Sequence, residues 1–221
     1  MKKKLLKKII LLSSLYYLLS TALCGCQNKA LYRDTHVMMG TFVEVISPDK
    51  DAANIAFGEI KRIEGLLSKY KDDSEVSKLN KLGKLKVSPD TFYVLQKAKN
   101  FWQLSDGAFD ISVGPLMDLW GFTGKRYYLP NNNEIKQALS MVGFDKIIFN
   151  PDDNVVEFKI LGMKIDLGAI AKGYAVDCAV RKLRERGIKD CLINAGGQIF
   201  CLGDKFGKPW RIAIRNPRKG G

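Results

Sequence analysis

The run Asp166-Leu167-Gly168-Ala169-Ile170-Ala171-Lys172-Gly173 concentrates more chemistry than any other stretch of the chain. The pattern predicts a strand ending at Asp166 and a helix opening near Ile170, with small residues between. Such a junction offers free backbone N–H groups and the positive end of a helix dipole, which together suit a phosphate. Lys172, in the first turn, adds a formal charge on the same side. Asp166 can accept from a ligand hydroxyl or amide, and carbonyls of the loop can ligate a hard cation such as Mg²⁺. Spacing alone slightly favours a plain strand–helix junction, in which Gly168 and Gly173 only permit close packing.

A second cluster is Asp106-Gly107-Ala108-Phe109-Asp110, followed by Ser112-Val113-Gly114-Pro115-Leu116 and Leu119-Trp120-Gly121-Phe122. Two carboxylates flank an aromatic on a glycine-bearing loop, a combination that suits a flat heterocycle. Leu116, Trp120 and Phe122 serve equally well as core. The third is Met38-Met39-Gly40-Thr41, where Met39 could pack on a ring or simply fill the interior. The chain has one histidine, His36, and no CxxC pair. Zinc chemistry and Ser/His/Asp hydrolysis are therefore excluded as leading readings.

The elements that must position these residues read as α+β, because helices and strands mix without regular βα alternation. Leu31–Ile46 is expected to be extended. Ala53–Tyr70 carries Ala56, Ile60, Ile63 and Leu67 at helical spacing. Ser74–Asn80 predicts a short helical turn. Ser88-Pro89-Asp90 is an N-cap with proline at the first helical position, opening a helix that buries Phe92, Leu95, Ala98 and Trp102. Asn132 or Asn133 is expected to cap a helix that stops at Gly143. Strands are expected at Lys146–Phe149, Val155–Ile160 and Met163–Leu167, then a helix over Ile170–Arg186. Cys191–Asn194 and Gln198–Leu202 predict strands about Ala195-Gly196-Gly197, and Trp210–Ile214 begins one more.

Residues 1–25 read as an export signal rather than as fold. Met1–Lys8 holds five lysines and no acid, and an apolar stretch of fifteen residues, Ile9–Leu23, follows. That is short for a membrane span and suits a signal h-region. Leu23-Cys24-Gly25-Cys26 then has the form cleaved in lipoproteins, which would make Cys26 the lipidated N-terminus. An ordinary signal peptide or an uncleaved anchor is the alternative. Loss of the five signal lysines lowers the net charge from +13 to +8. A basic protein tethered on the outer face of the cytoplasmic membrane, or in the periplasm, would sit close to anionic lipid. Export argues against nucleic acid as a partner. With Cys26 lipidated, Cys178, Cys191 and Cys201 remain, an odd number that gives no disulfide framework.

Taken in order, several segments resemble the ApbE family of FAD:protein FMN transferases. They are Met39-Gly40-Thr41, Ser74–Asn80, Asp106–Leu116, Leu119–Phe122, Asp166–Asp177 and Asn194-Ala195-Gly196-Gly197. The likeness runs from Met39 to about Pro217, and Gly-Ala-Phe-Asp and Asp-Leu-Gly-Ala-Ile-Ala-Lys-Gly are its most specific parts. The resemblance implies a Mg²⁺-dependent enzyme that cleaves FAD and attaches FMN, through its phosphate, to a threonine of an acceptor protein. The implied acceptors are subunits of membrane redox complexes, of the Na⁺-pumping NADH:quinone reductase or Rnf type. It implies that Met39, Ala108, Phe109 and Asp110 contact the flavin nucleotide, and that Asp166 and Lys172 hold FAD. Tyr70 sits about where the family places another FAD contact, and the Ala169 carbonyl would ligate Mg²⁺.

Residues 1–25 are thus expected to be the signal, 26–37 a tether and 38–221 the flavin domain. That domain is expected to be C-terminally incomplete, since family members continue with a Thr-Ser-Gly segment, a His-containing Asp-Pro segment and a late Asp/Thr cluster. Weak flavin binding and little turnover are the corresponding expectations. Alternatives are hydrolysis of FAD to FMN and AMP, a non-catalytic flavin-binding lipoprotein, or a fragment with exposed sheet edges.

Overall fold

Amphipathic helices of this chain cover two antiparallel sheets, an α+β arrangement. The computed structural model describes residues 30–214 and Arg218. The signal segment, the lipidation candidate Cys26 and the start of the tether lie outside the described residues.

The first sheet begins with a hairpin, β1 (Tyr32–Met38) and β2 (Thr41–Ser47). The stretch read as one extended segment is folded back at Met39-Gly40, and Tyr32–Val37, placed in the tether by the sequence, pair with β2. Both turn residues have positive φ, 51° and 71°, as a two-residue hairpin of this hand requires. Two later strands, β6 (Cys191–Ala195) and β7 (Gln198–Leu202), complete the order β1-β2-β6-β7. Gly196-Gly197 turns β6 into β7, and the Gly196 N–H donates to the Phe42 carbonyl at 3.0 Å. A Cβ on Gly196 would lie 2.4 Å from Thr41 Oγ1, so only glycine allows the two hairpins to meet. The second sheet has the order β3-β5-β4, from Lys84–Lys86, Val155–Phe158 and Ile147–Asn150.

Helix α1 (Ala52–Leu67) buries Ala56, Phe57, Ile60, Ile63 and Leu67 along one stripe. It packs on α6 (Ala171–Glu185), whose buried residues include the small Ala171, Ala175, Cys178 and Ala179 beside Val176, Val180 and Leu183. Those small side chains let the two helices approach closely. Helix α2 (Glu75–Leu82) is capped by Ser74, which accepts from the Ser77 N–H, and ends at Gly83 with φ 74°. Helix α3 (Pro89–Leu104) opens on Ser88 as expected.

Several details depart from the sequence reading. Asn131, rather than Asn132 or Asn133, caps α5 (Asn132–Ser140), because its side chain and that of Glu134 form a reciprocal capping box. That helix ends before Gly143. A one-and-a-half-turn helix α4 (Gly114–Leu119) was not legible, being too short to show a period. Met163–Leu167 is not a ladder strand. Its partners are a loop and a side chain: Val113 bridges Lys164, the Asp166 N–H donates to the Ile111 carbonyl at 2.7 Å, and the Asn80 amide clasps the Ile165 backbone through two bonds. Trp210–Ile214 is likewise irregular, with the Trp210 indole N–H donating to the Leu202 carbonyl at 3.1 Å.

Candidate functional site: a lysine-lined cavity at the start of helix α6

Four parts of the chain converge on one cavity of about 630 Å³, within the usual size for small-molecule sites. The β1–β2 turn brings Met39 and Gly40, the end of α1 brings Glu64 and Ser68–Lys71, the start of α6 brings Gly168, Ala171 and Lys172, and an outer loop brings Lys125. Met39, at φ 51°, occupies a conformation unfavourable for a side-chain-bearing residue. Its N–H donates to Glu64 Oε1 at 2.6 Å, which holds the strained turn against the helix. Tyr70 follows the end of α1 and stays two-thirds exposed, its ring free to cover a ligand.

Charge is distributed unevenly round this cavity. Lys71 pairs with Glu64 at 2.8 Å and Lys69 with Asp166 at 2.7 Å. Lys125 and Lys172 have no ion pair among the described residues. Two positive charges are thus left for a ligand. At the head of α6 the Gly168 N–H is taken by Asp166 Oδ1 at 2.8 Å, and those of Ile170 and Ala171 by the Leu167 carbonyl. The N–H groups of Lys172 and Gly173 have no backbone partner among the described residues, as expected for a first helical turn.

A polar network fixes α6 from behind. Arg62 of α1 bonds Asp90 of α3 at 2.7 Å, and Tyr174 of α6 donates to the same carboxylate. The Arg62 guanidinium, foremost, and the Tyr174 hydroxyl hold Asp90 below its usual carboxylate range against the opposing effect of burial. A depressed folded-state pKa stabilises above the unfolded value, near pH 4, and that gain is lost as pH falls through the folded value. Asp90→Asn should therefore lower stability by about 1 kcal/mol at pH 7, given the partial exposure of the group. The deficit should shrink as pH falls below about 4, as read from urea titrations at pH 7 and at acid pH. An equal deficit at both would show that the carboxylate charge is not the source.

Of the residues singled out from sequence, Met39, Tyr70 and Lys172 line the cavity together. Asp166 stands behind the wall, its two oxygens engaged by Lys69 and Gly168. Ala108, Phe109 and Asp110 are not among the lining residues. Phe109 packs partly buried against the core, 5.9 Å from the Phe101 ring. Asp110 accepts from the N–H groups of Ser112 (2.7 Å) and Phe144 (3.1 Å) and so ties two loops together. Sequence reasoning missed Glu64, Lys69, Lys71 and Lys125. The alternation Lys69-Tyr70-Lys71 directly after a helix end was the available signal.

Ala169 is exposed in the loop before α6, and its carbonyl is one candidate oxygen for Mg²⁺. Among the described residues no group of three or more His, Cys, Asp or Glu could hold a metal, and Asp166 is committed to Lys69. One carbonyl does not make a site for an ion that favours six oxygens. The cationic side chains that line the cavity are lysines, Lys69, Lys71, Lys125 and Lys172.

Known proteins place this arrangement. The family model described as the ApbE family matches residues 39–221. The chain is 32% identical over 197 residues to the FAD:protein FMN transferase of Klebsiella pneumoniae, covering 86% of this chain and 60% of that protein. It is 30% identical over 229 residues to the protein of the same name from Treponema pallidum, covering 90% and 63%. The crystal structure of the ApbE protein of Thermotoga maritima superposes with a TM-score of 0.79 at 34% identity, over 86% of this chain and 65% of that one. The flavin transferase ApbE of Vibrio cholerae gives 0.78 at 28% identity, over 85% and 64%. The chain thus spans about three-fifths of the length of the two curated relatives. A match over nearly all of the described fold, with the same single α+β domain, shows that the chain belongs to the ApbE family.

Proposed function

We propose that the chain forms the flavin-nucleotide site of an FAD:protein FMN transferase. The observation that carries this reading is the pair Lys125 and Lys172, which have no ion pair among the described residues and face one cavity with Met39 and Tyr70. Two ammonium groups beside a helix N-terminus suit a diphosphate, and the adjacent thioether and phenol ring suit a flat heterocycle. In the reaction, a threonine hydroxyl of the acceptor attacks the FMN phosphorus. A new P–O bond forms, the anhydride P–O bond breaks and AMP leaves, while the threonine proton passes to solvent. Lys172 and Lys125 would hold the diphosphate oxygens and offset the charge that develops on them. Met39 and Tyr70 would orient the nucleotide.

Dependence on Mg²⁺, with Ala169 as one ligand, belongs to the same proposal; the metal would arrive with the nucleotide phosphates. So do contacts of FAD with Ala108, Phe109, Asp110 and Asp166. The acceptor would be a subunit of a membrane redox complex, and Cys26 would carry the lipid that holds the enzyme at the outer face of the membrane.

The test uses the full chain in mild detergent with FAD and Mg²⁺, following flavin fluorescence and AMP release, with and without a threonine-bearing acceptor. FAD should bind, and Lys172→Ala should weaken it about tenfold, as expected on losing a charge-assisted hydrogen bond. AMP together with labelled acceptor supports transfer, whereas AMP with free FMN shows water as the nucleophile. Absence of FAD binding would sink the reading.

A further inference from the structure

Lys69 is the most enclosed cation of the cavity, its side chain only 9% exposed. Its ammonium bonds Asp166 Oδ2 at 2.7 Å and Thr123 Oγ1 at 3.0 Å. Thr123 in turn donates to Asp118 Oδ1, and Lys164 pairs with the other oxygen of Asp118 at 2.7 Å. Asp166 Oδ1 meanwhile accepts from the Gly168 N–H at the phosphate turn. An ammonium has three N–H donors and no acceptor. Two are used among the described residues, and the nitrogen sits 5.3 Å from the centre of the Tyr70 ring in the cavity wall.

A lysine exposed on a long stem loses rotamer freedom when it grips a ligand, but this one is already held by two partners. Its charge is balanced by Asp166, so it can remain an enclosed cation in the absence of a ligand. The third donor is then a pre-set point for an anionic oxygen. The Asp166–Gly168 bond places the head of α6 and this lysine in one fixed unit.

We propose that Lys69 is a further ligand-binding residue, seated by Asp166 and Thr123, which donates its remaining N–H to a phosphate oxygen of the nucleotide. This inference rests on the flavin reading of the same cavity and adds to it the residue that recognises the phosphate from the α1 side. It also gives Thr123 a positioning role, since Thr123 acts on the ligand through Lys69.

The test is calorimetric titration of the full chain in mild detergent with FAD, riboflavin and inorganic pyrophosphate. Lys69→Met should weaken FAD and pyrophosphate on the order of ten- to a hundredfold, the loss of one hydrogen bond from a charged donor. Riboflavin, which has no phosphate, should change less than about threefold on the same basis. Lys69→Met leaves Asp166 unpaired, so the double variant Lys69→Met/Asp166→Asn guards against misfolding and should show the same phosphate-selective loss. Thr123→Val, which keeps the charge and removes its seat, should show a smaller loss of the same pattern. Equal weakening of FAD and riboflavin in both the single and the double variant would overturn the inference and leave the flavin reading standing. Pyrophosphate bound by the wild type and lost on Lys69→Met, without any FAD binding, would support Lys69 and overturn the flavin reading instead.

Discussion

Gly121→Ala is expected to weaken FAD binding by about a hundredfold while leaving most of the buried core intact. Gly121 has φ 78°, and a Cβ there would lie 1.8 Å from the Arg126 carbonyl oxygen. The left-handed conformation costs a side-chain-bearing residue about 1–2 kcal/mol, and the clash adds roughly 1–3 kcal/mol if the backbone does not move. The loop can relieve both by leaving its place, because its closure rests on a few bonds, among them Arg126 N–H to the Gly121 carbonyl at 3.1 Å. That loop carries Lys125 into the cavity and seats Lys69 through Thr123. Hydrogen exchange should accelerate over residues 121–127 and stay slow in α1 and α6. Unchanged FAD affinity with a rearranged loop would show that the loop takes no part in the site.

The second large effect is on stability. Ile63 is fully buried on the apolar stripe of α1, the helix that packs on α6. Ile63→Ala removes three carbon atoms and leaves a cavity that close-packed neighbours fill only in part. The expected loss is about 2–5 kcal/mol, measured from the midpoint and slope of urea unfolding. Flavin binding should weaken with it at temperatures near the lowered midpoint, because Lys69 and Tyr70 follow the end of α1 and Lys172 opens α6. A loss below about 1 kcal/mol would mean that small residues on α6 let the helices close the gap.

Both effects trace to how the ends of two helices are held, and that is where sequence and structure divide. The periodic stripe of α1, the Ser88-Pro89 start of α3 and the helix after Ile170 were legible because local spacing alone specifies them. The segments carrying the family resemblance were legible too, as were Met39, Tyr70 and Lys172 as residues worth attention. The hairpin turn at Met39-Gly40 was not, although a residue–glycine pair between two alternating runs is a local signal for it. Met163–Leu167 has the composition of a strand, yet its neighbours are the Ile111–Val113 loop and the Asn80 side chain, so no ladder extends along it.

The pairing of Lys69 with Asp166 could not be read at all, nor could the seat that Thr123 provides. These groups come from distant parts of the chain, and nothing in either local pattern points to the other. Residue types and spacing specify helices, turns and the residues of a motif through short-range sterics and capping. The order β1-β2-β6-β7, the docking of α1 on α6 and the balance of charge in the cavity depend on which apolar faces bury each other. That choice is made by packing across the whole fold, so which lysines are neutralised and which stay free is a property of the folded chain alone.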